Sequence, residues 1–125
     1  MAREEAVRNQ ELSKKVDLAF LSAFYGGLLT DNQRRVLSLH CEEDLSLGEI
    51  AEEVGISRQA VHETITRAAA RLNGMEASLG VAARFRKMED GLVEALSALK
   101  NADYNRAEVL LTDLLALDQE DTDGL

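Results

Sequence analysis

Apolar residues recur every three or four positions along most of the chain, a spacing that places them on one face of an α-helix. These stripes predict helices over residues 14–28, 31–43, 47–54, 58–79, 81–100 and 104–117. No proline interrupts them, and the few aromatic residues, three Phe and two Tyr, argue against a β-sandwich. The sequence therefore predicts an all-α fold.

The segment 45–71, LSLGEIAEEVGISRQAVHETITRAAAR, has the pattern of a helix-turn-helix. Ser46 followed by Glu49 is a capping-box pattern that opens a first short helix, and Gly55 can close that helix in the left-handed conformation. Ser57 can then cap the second helix of the motif. Two capped helices around a glycine-containing turn are a specific signal of this motif. Each helix has an apolar stripe to bury, Leu47, Ile50, Ala51 and Val54 in the first and Val61, Ile65, Ala68 and Leu72 in the second.

The helix before the motif begins with a second capping-box pattern, Thr30 with Gln33. It finishes with Glu42, Glu43 and Asp44, and acidic residues at a helix C-terminus oppose the helix macrodipole. We therefore expect this helix to end early, or its terminal carboxylates to be used in contacts.

Two amphipathic helices are predicted after the motif. The second helix of the motif continues its apolar spacing to residue 79, with Gly74 as a weak point and Gly80 as its end. The next helix contains Gly91 as a soft point, and the last helix carries an unusually wide band of leucines. This pair either folds back on the motif domain as a hairpin or forms a symmetric dimer interface. The width of the leucine band favours a homodimer.

These patterns predict an N-terminal charged extension (1–13), a helix-turn-helix domain (14–79), a C-terminal helical pair (80–117) and an acidic disordered tail (118–125). The net charge is −9, and residues 101–125 hold seven acidic residues against one arginine. Because the acidity is concentrated there, the motif itself is nearly neutral and can carry a local basic face. The pI of about 4.7 is nevertheless far below the value above about 9 expected of a dedicated DNA-binding domain.

The single cysteine, Cys41, cannot form an internal disulfide, which favours a reducing cytoplasmic location. The apolar segment 18–29 is too short to span a bilayer and is followed by no signal-peptidase pattern, so no membrane association is expected. His40, Cys41 and Glu42 are adjacent, and adjacent helical residues point about 100° apart, so they cannot converge on a metal ion. With no nucleophile triad and no glycine-rich phosphate loop, we predict neither an enzyme nor a cofactor.

A helix-turn-helix binds DNA with the outer, N-terminal face of its second helix. In this chain Arg58 suits guanine, Gln59 suits adenine, and Arg67 and Arg71 can reach phosphates. Acidic residues on the same two helices, however, remove the cationic surplus on which counterion release depends. Binding of protein or RNA through this face therefore stands beside DNA binding, and is favoured. The candidate binding residues are Ser57, Arg58, Gln59, His62, Thr66, Arg67 and Arg71, with Arg34 and Arg35 on the preceding helix.

Residues 46–68, SLGEIAEEVGISRQAVHETITRA, resemble the signature of the YlxM family, small bacterial proteins whose helix-turn-helix is similar to the fourth conserved region of sigma factors. Residues 28–40, LLTDNQRRVLSLH, are similar to a segment of that family that precedes its motif, and the resemblance is clear over residues 16–80. Ser57 matches the motif serine of the family, whereas His62 stands where the family usually has tyrosine.

The resemblance implies a regulatory or accessory role in the signal recognition particle pathway, with the particle's protein or RNA as the partner. The alternative is a DNA-binding transcriptional regulator that uses the same recognition helix. A third possibility is a dimeric scaffold that acts through its leucine band and leaves the helix-turn-helix face unused. Replacing Arg58 and Arg67 together distinguishes the first two from the third, because only a scaffold would keep all its partners.

Overall fold

The computed structural model describes residues 1–123, with side chains as far as residue 117. Within this range the chain forms helices and no strand, which confirms the all-α prediction. The chain divides into two compact units, an N-terminal unit, Met1–Ala82, and a C-terminal unit, Ala83–Leu125. The helices are α1 (Ala2–Tyr25), α2 (Asp31–Cys41), α3 (Leu47–Val54), α4 (Arg58–Leu79), α5 (Val81–Lys100) and α6 (Tyr104–Asp123), with a 3₁₀ turn at Gly26–Leu28.

Helix α1 is longer at its start than the apolar pattern predicted. It includes residues 2–13, because no glycine or proline interrupts the helix before Gly26. Residues 1–14 are exposed throughout, so this half of the helix contributes nothing to the core. Val16, which lies on the apolar stripe of the helix predicted over residues 14–28, is 56 % exposed. The first residue of α1 that packs against the core is Leu18. The helix ends at Tyr25, and the 3₁₀ turn takes the place of the last predicted helical turn.

Two clusters of buried side chains hold the N-terminal unit together, and α4 contributes to both. One cluster joins α1, α2 and α4 and includes Leu37 and Leu72, while the other joins α2, α3 and α4 and includes Ile50 and Val61. Leu72, Ile50 and Val61 have no accessible surface. Because burying a side chain of this size contributes roughly 1.5–3 kcal/mol, α4 is firmly held at both clusters.

The predicted capping boxes are present at both helix starts. The Thr30 hydroxyl accepts from the Gln33 N–H at 3.1 Å, and the Gln33 side chain accepts from the Thr30 N–H at 3.1 Å. Ser46 and Glu49 make the same reciprocal pair at 3.1 and 3.0 Å. These bonds satisfy N–H groups that have no partner within the helix, and they fix where α2 and α3 begin.

The acidic end of α2 behaves as its charge pattern predicted. The helix ends early, at Cys41, and two of the three carboxylates make contacts. Glu42 accepts a hydrogen bond from the Ser38 hydroxyl at 3.1 Å, and Asp44 forms an ion pair with Lys15 of α1. Asp44 has a φ of 54°, so its backbone makes the turn that leads towards α3.

A hydrogen-bonded junction connects α1, α4 and the start of α5 inside the N-terminal unit. Gly80 takes the left-handed conformation, with a φ of 63°, and separates α4 from α5 as predicted. The Tyr25 hydroxyl donates to the Glu76 carboxylate at 2.6 Å and accepts from the Val81 N–H at 3.2 Å. Glu76 also accepts from the Ala82 N–H at 3.0 Å, so α5 begins with its first donors satisfied.

The C-terminal unit is a helical hairpin. Ala102 takes a left-handed conformation with a φ of 58°, and the Asp103 N–H donates to the Ala98 carbonyl at 2.8 Å, which closes α5. The Asp103 carboxylate then accepts from the Arg106 N–H at 3.2 Å and caps α6. Of the segment predicted to be a disordered tail, residues 118–123 continue α6, because no glycine or proline follows Tyr104 before Gly124; residues 124 and 125 lie outside the described range.

Candidate nucleic-acid or partner interface

Local sequence and tertiary packing together fix the orientation of the helix-turn-helix. Gly55 ends α3 with a φ of 80°, and its N–H donates to the Ala51 carbonyl at 2.9 Å. The Ser57 hydroxyl accepts from the Ala60 N–H at 3.0 Å and caps α4. Val61 of α4 packs with the buried residues of α3, so the opposite side of α4 faces away from the core.

All nine candidate binding residues predicted from the sequence are exposed, but they do not form one surface of free side chains. Some lie on the outer face of α4, some are engaged by neighbouring elements, and two lie in a different cleft. Their hydrogen bonds and close contacts distinguish these three groups.

Arg58 folds back over the first turn of α3 instead of extending along α4. A Cβ atom built on Gly48 would lie 2.9–3.1 Å from three atoms of the Arg58 guanidinium, one of the terminal nitrogens, Nε and Cζ. The guanidinium therefore occupies space that only a glycine at position 48 leaves open. The sequence predicted Arg58 as a contact residue but contained no sign that Gly48 positions it, because the two residues are ten apart and meet only through the turn.

Thr66 has a hydroxyl whose hydrogen is already used. Its Oγ1 donates to the His62 carbonyl at 2.9 Å, one turn earlier in α4. Thr66 can therefore accept a hydrogen bond from a partner but not donate one in this rotamer. Gln59, Arg67 and Arg71 are the remaining predicted residues of α4 whose exposed polar ends extend from its surface.

Arg34 and Arg35 lie in a separate cleft of about 670 Å³ between α1 and α2. The Arg34 Nε donates to the Gly26 carbonyl at 3.1 Å, so this side chain satisfies an acceptor at the end of α1. His62 and Thr66 instead line a different groove, of about 580 Å³, beside α1 and the start of α3. The structure thus gives Arg34 a structural role and places it in a cleft that His62 and Thr66 do not share.

The groove beside His62 is also lined by His40 of α2. The His40 Nδ1 atom is buried in its wall without a hydrogen-bond partner. Burial, with a smaller contribution from the positive charge of Lys15, lowers the pKa of His40 below its ordinary value. The ion pair with Lys15 holds the pKa of Asp44 below its usual range as well. The wall of this groove therefore contains the His40 imidazole and Lys15, whose side chain is held by its ion pair with Asp44.

Acidic side chains limit the positive charge around α4. Helix α4 exposes one glutamate, Glu63, in addition to Arg58, Arg67 and Arg71. Helix α3 exposes three glutamates, Glu49, Glu52 and Glu53. The Glu49 carboxylate accepts from the Ser46 N–H, which lowers its pKa and keeps it charged. The arginines of this surface therefore belong to α4, and among them the Arg58 guanidinium reaches over the start of α3.

Among the described residues, no group of three or more His, Cys, Asp or Glu side chains is arranged so that it could hold a metal ion. Burial raises the pKa of the Cys41 thiol, so the thiolate is disfavoured. The half-buried Cys41 packs against the first core cluster.

Comparison with known proteins places the chain in a family. A family model described as "Putative helix-turn-helix protein, YlxM / p13 like" matches residues 12–112. A UPF0122 protein of Halalkalibacterium halodurans is 42 % identical over 109 residues, which cover 86 % of this chain and 96 % of that protein. A UPF0122 protein of Latilactobacillus sakei is 39 % identical over 113 residues, covering 88 % of this chain and 99 % of the relative.

A third relative, a UPF0122 protein of Desulforamulus reducens, is 41 % identical over 87 residues, covering 70 % of this chain and 74 % of that protein. The matched residues span the helix-turn-helix and extend through α5 into α6. Among the described residues, no helix is both long enough and apolar enough to cross a membrane. The description of the family is that of helix-turn-helix proteins. This chain therefore belongs to the UPF0122 family, the YlxM and p13-like helix-turn-helix proteins.

Proposed function

We propose that this protein is a regulatory or accessory component of the signal recognition particle pathway. It would bind the protein or the RNA of the particle through the outer face of α4. The proposal rests on the exposure of Gln59, Arg67 and Arg71 on a helix that is capped at its start and anchored in two core clusters. The resemblance to the YlxM family supplies the pathway.

The distribution of charge favours this partner over a long DNA duplex. In helix-turn-helix complexes with DNA, the first helix of the motif crosses the phosphate backbone while the second enters the major groove. Here the first helix, α3, exposes Glu52 and Glu53, which phosphates would repel. A partner that contacts only α4 meets the arginines without meeting those carboxylates. A short RNA element or an acidic protein surface fits that requirement.

A DNA-binding transcriptional regulator is the second candidate. Gln59 lies in the first turn of α4, the position from which helix-turn-helix proteins reach base edges, and it can pair with adenine through two hydrogen bonds. Arg67 and Arg71 are one turn apart and can follow a phosphate backbone.

The test is a titration against three labelled probes: the signal recognition particle RNA, the particle's protein subunit and mixed genomic DNA fragments. Each is measured at about 50 and 200 mM salt, because a DNA contact through four phosphates loses about 150-fold in affinity over this range. The binding variant is Arg67→Ala with Arg71→Ala. Its control, Arg3→Ala with Arg8→Ala, removes the same charge from the exposed start of α1.

The proposal is supported if the native chain binds a particle component, the α4 variant binds it with an affinity about tenfold or more lower, and the control stays within about twofold of the native affinity. Sequence-selective DNA binding with a steep salt dependence, and no affinity for either particle component, refutes it in favour of the second candidate. Equal losses in the two variants would show that net charge and not the α4 face governs binding.

A further inference from the structure

The hairpin of α5 and α6 has an interior built largely from small residues. Ala95, Ala98 and Ala107 are at least 95 % buried. A Cβ atom on Gly91 would lie 2.5 Å from Leu114, so the two helices approach closely at that point. Because small side chains fill the space between the helices, most of the large apolar side chains of the hairpin are left outside it.

Those side chains form a continuous apolar band along one side of the hairpin. On α5 the spacing of four and three residues between Leu92, Leu96 and Leu99 places them on one face, and they are 46–53 % exposed. On α6 Leu111 and Leu115 are 40 and 72 % exposed. A groove of about 490 Å³ runs between the two rows and is lined by Met88, Leu92, Leu111, Leu114 and Leu115.

The band is large enough for a stable interface. Tyr104, which is 67 % exposed, lies two helical turns before Leu111 on the same face of α6 and extends the band. With roughly 150–200 Å² for each fully exposed large apolar residue, the five leucines and Tyr104 leave on the order of 500 Å² uncovered. A standard interface buries about 800 Å² per partner, of which roughly 60 % is apolar. The two quantities match, whereas isolated apolar residues on a monomer would not form such a patch.

Length and charge identify a second copy of the same hairpin as the occupant. Helices α5 and α6 each have 20 residues, so two hairpins can stack along their full length as a four-helix bundle. Residues 81–100 carry four basic and three acidic residues, whereas residues 101–117 carry three acidic residues and one arginine. The two helices of the hairpin therefore carry net charges of opposite sign, and α5 of one copy is matched to α6 of another.

We propose that this protein is a homodimer formed through the α5–α6 hairpin. The groove between Leu92 and Leu111 receives the leucines of a second copy, and α5 of each copy packs against α6 of the other. This interface is isologous, so each contact between leucines occurs twice. The helix-turn-helix face of the N-terminal unit is not needed for it, and the inference is independent of the proposed function.

The first test is the molecular mass in solution, by sedimentation equilibrium of the full chain between about 1 and 100 μM. The variants Leu92→Glu and Leu111→Lys place a charge in the band. Their controls, Val93→Glu and Val109→Lys, introduce the same charges at residues that are 62 and 59 % exposed but lie off the band. We expect each band variant to raise the dissociation constant of the dimer by about 100-fold or more, since two copies of the change are buried, and each control by less than about threefold.

Mixing the two band variants tests the predicted pairing of α5 with α6 of the other copy. In the mixed dimer, glutamate at 92 faces lysine at 111 on one side, and two native leucines meet on the other. Recovery of at least about a tenth of the native affinity is expected. Loss in both single variants without recovery on mixing overturns the crossed arrangement, and a native chain that stays monomeric at about 100 μM overturns the dimer.

Hydrogen exchange of the native chain covers the case in which a band variant unfolds. Amides of residues 88–99 and 108–115 should exchange more slowly at about 100 μM than at about 1 μM if the band is buried on dimerisation. Exchange rates in these segments that do not depend on concentration contradict the proposal, whatever the behaviour of the variants.

Discussion

Two mid-helix glycines, Gly74 in α4 and Gly91 in α5, should respond in opposite directions to the same substitution. Both weaken a helix in isolation, because glycine loses more backbone entropy on folding than alanine does. A Cβ atom on Gly74 would meet nothing within 4 Å. On Gly91 it would lie 2.5, 3.0 and 3.0 Å from three carbon atoms of Leu114, including the branch point Cγ. Rotation of a terminal methyl group therefore cannot relieve the contact at Gly91.

The magnitudes separate a helix contribution from a packing contribution. Gly74→Ala should raise the free energy of unfolding by about 0.5–1 kcal/mol. Gly91→Ala gains the same helix contribution, but overpacking against Leu114 costs about 1–3 kcal/mol. The difference between the two variants isolates the packing contribution and should be about 1–3 kcal/mol, with Gly91→Ala less stable than the native chain.

Urea unfolding followed by far-ultraviolet circular dichroism gives the two free energies. Hydrogen exchange assigns each change to its own unit, because the two units need not unfold together. Leu114→Ala completes a double-mutant cycle with Gly91→Ala: removing the leucine should remove the penalty, with a coupling of about 1–3 kcal/mol. A Gly91→Ala variant as stable as Gly74→Ala, or a coupling near zero, would refute the close approach of α5 and α6.

Two further outcomes are expected. Gly48→Ala should add up to about 1 kcal/mol to the stability of α3, less the cost of displacing the Arg58 guanidinium, so in urea unfolding the gain should be larger in an Arg58→Ala background. An equal gain in both backgrounds would contradict the packing of Arg58 over Gly48. Stability should fall on acidification: the folded pKa of His40 is lowered, so the unfolded chain takes up that proton first as the pH falls below about 6.5. The lowered pKa of Asp44 adds a second loss below about pH 4. Urea midpoints measured from about pH 7 to about pH 3.5 test both, and His40→Gln should remove the first loss only.

Features that depend on residues close together in the chain were predictable from the sequence. The capping boxes at Thr30 and Ser46, the left-handed Gly55 and the end of α4 at Gly80 are of this kind. In each case the relevant backbone groups lie within one helical turn, so the local sequence suffices to satisfy them. Family membership followed from the same stretch. The predicted boundaries of α1 and α6 were wrong because each helix was expected to stop where its apolar stripe stops. Both helices continue beyond the stripe, since no glycine or proline interrupts them there.

The use of individual side chains depends instead on the tertiary fold. Lys15 and Asp44 are 29 residues apart, and Tyr25 and Glu76 are 51 apart, so no local pattern could pair them. Local patterns likewise did not predict that Arg34 donates to the Gly26 carbonyl or that the Arg58 guanidinium packs over Gly48. An arginine looks the same in a sequence whether it is free to bind a phosphate or is already bonded to a helix end. The fold determines which, because it determines the carbonyls and carboxylates that lie within reach.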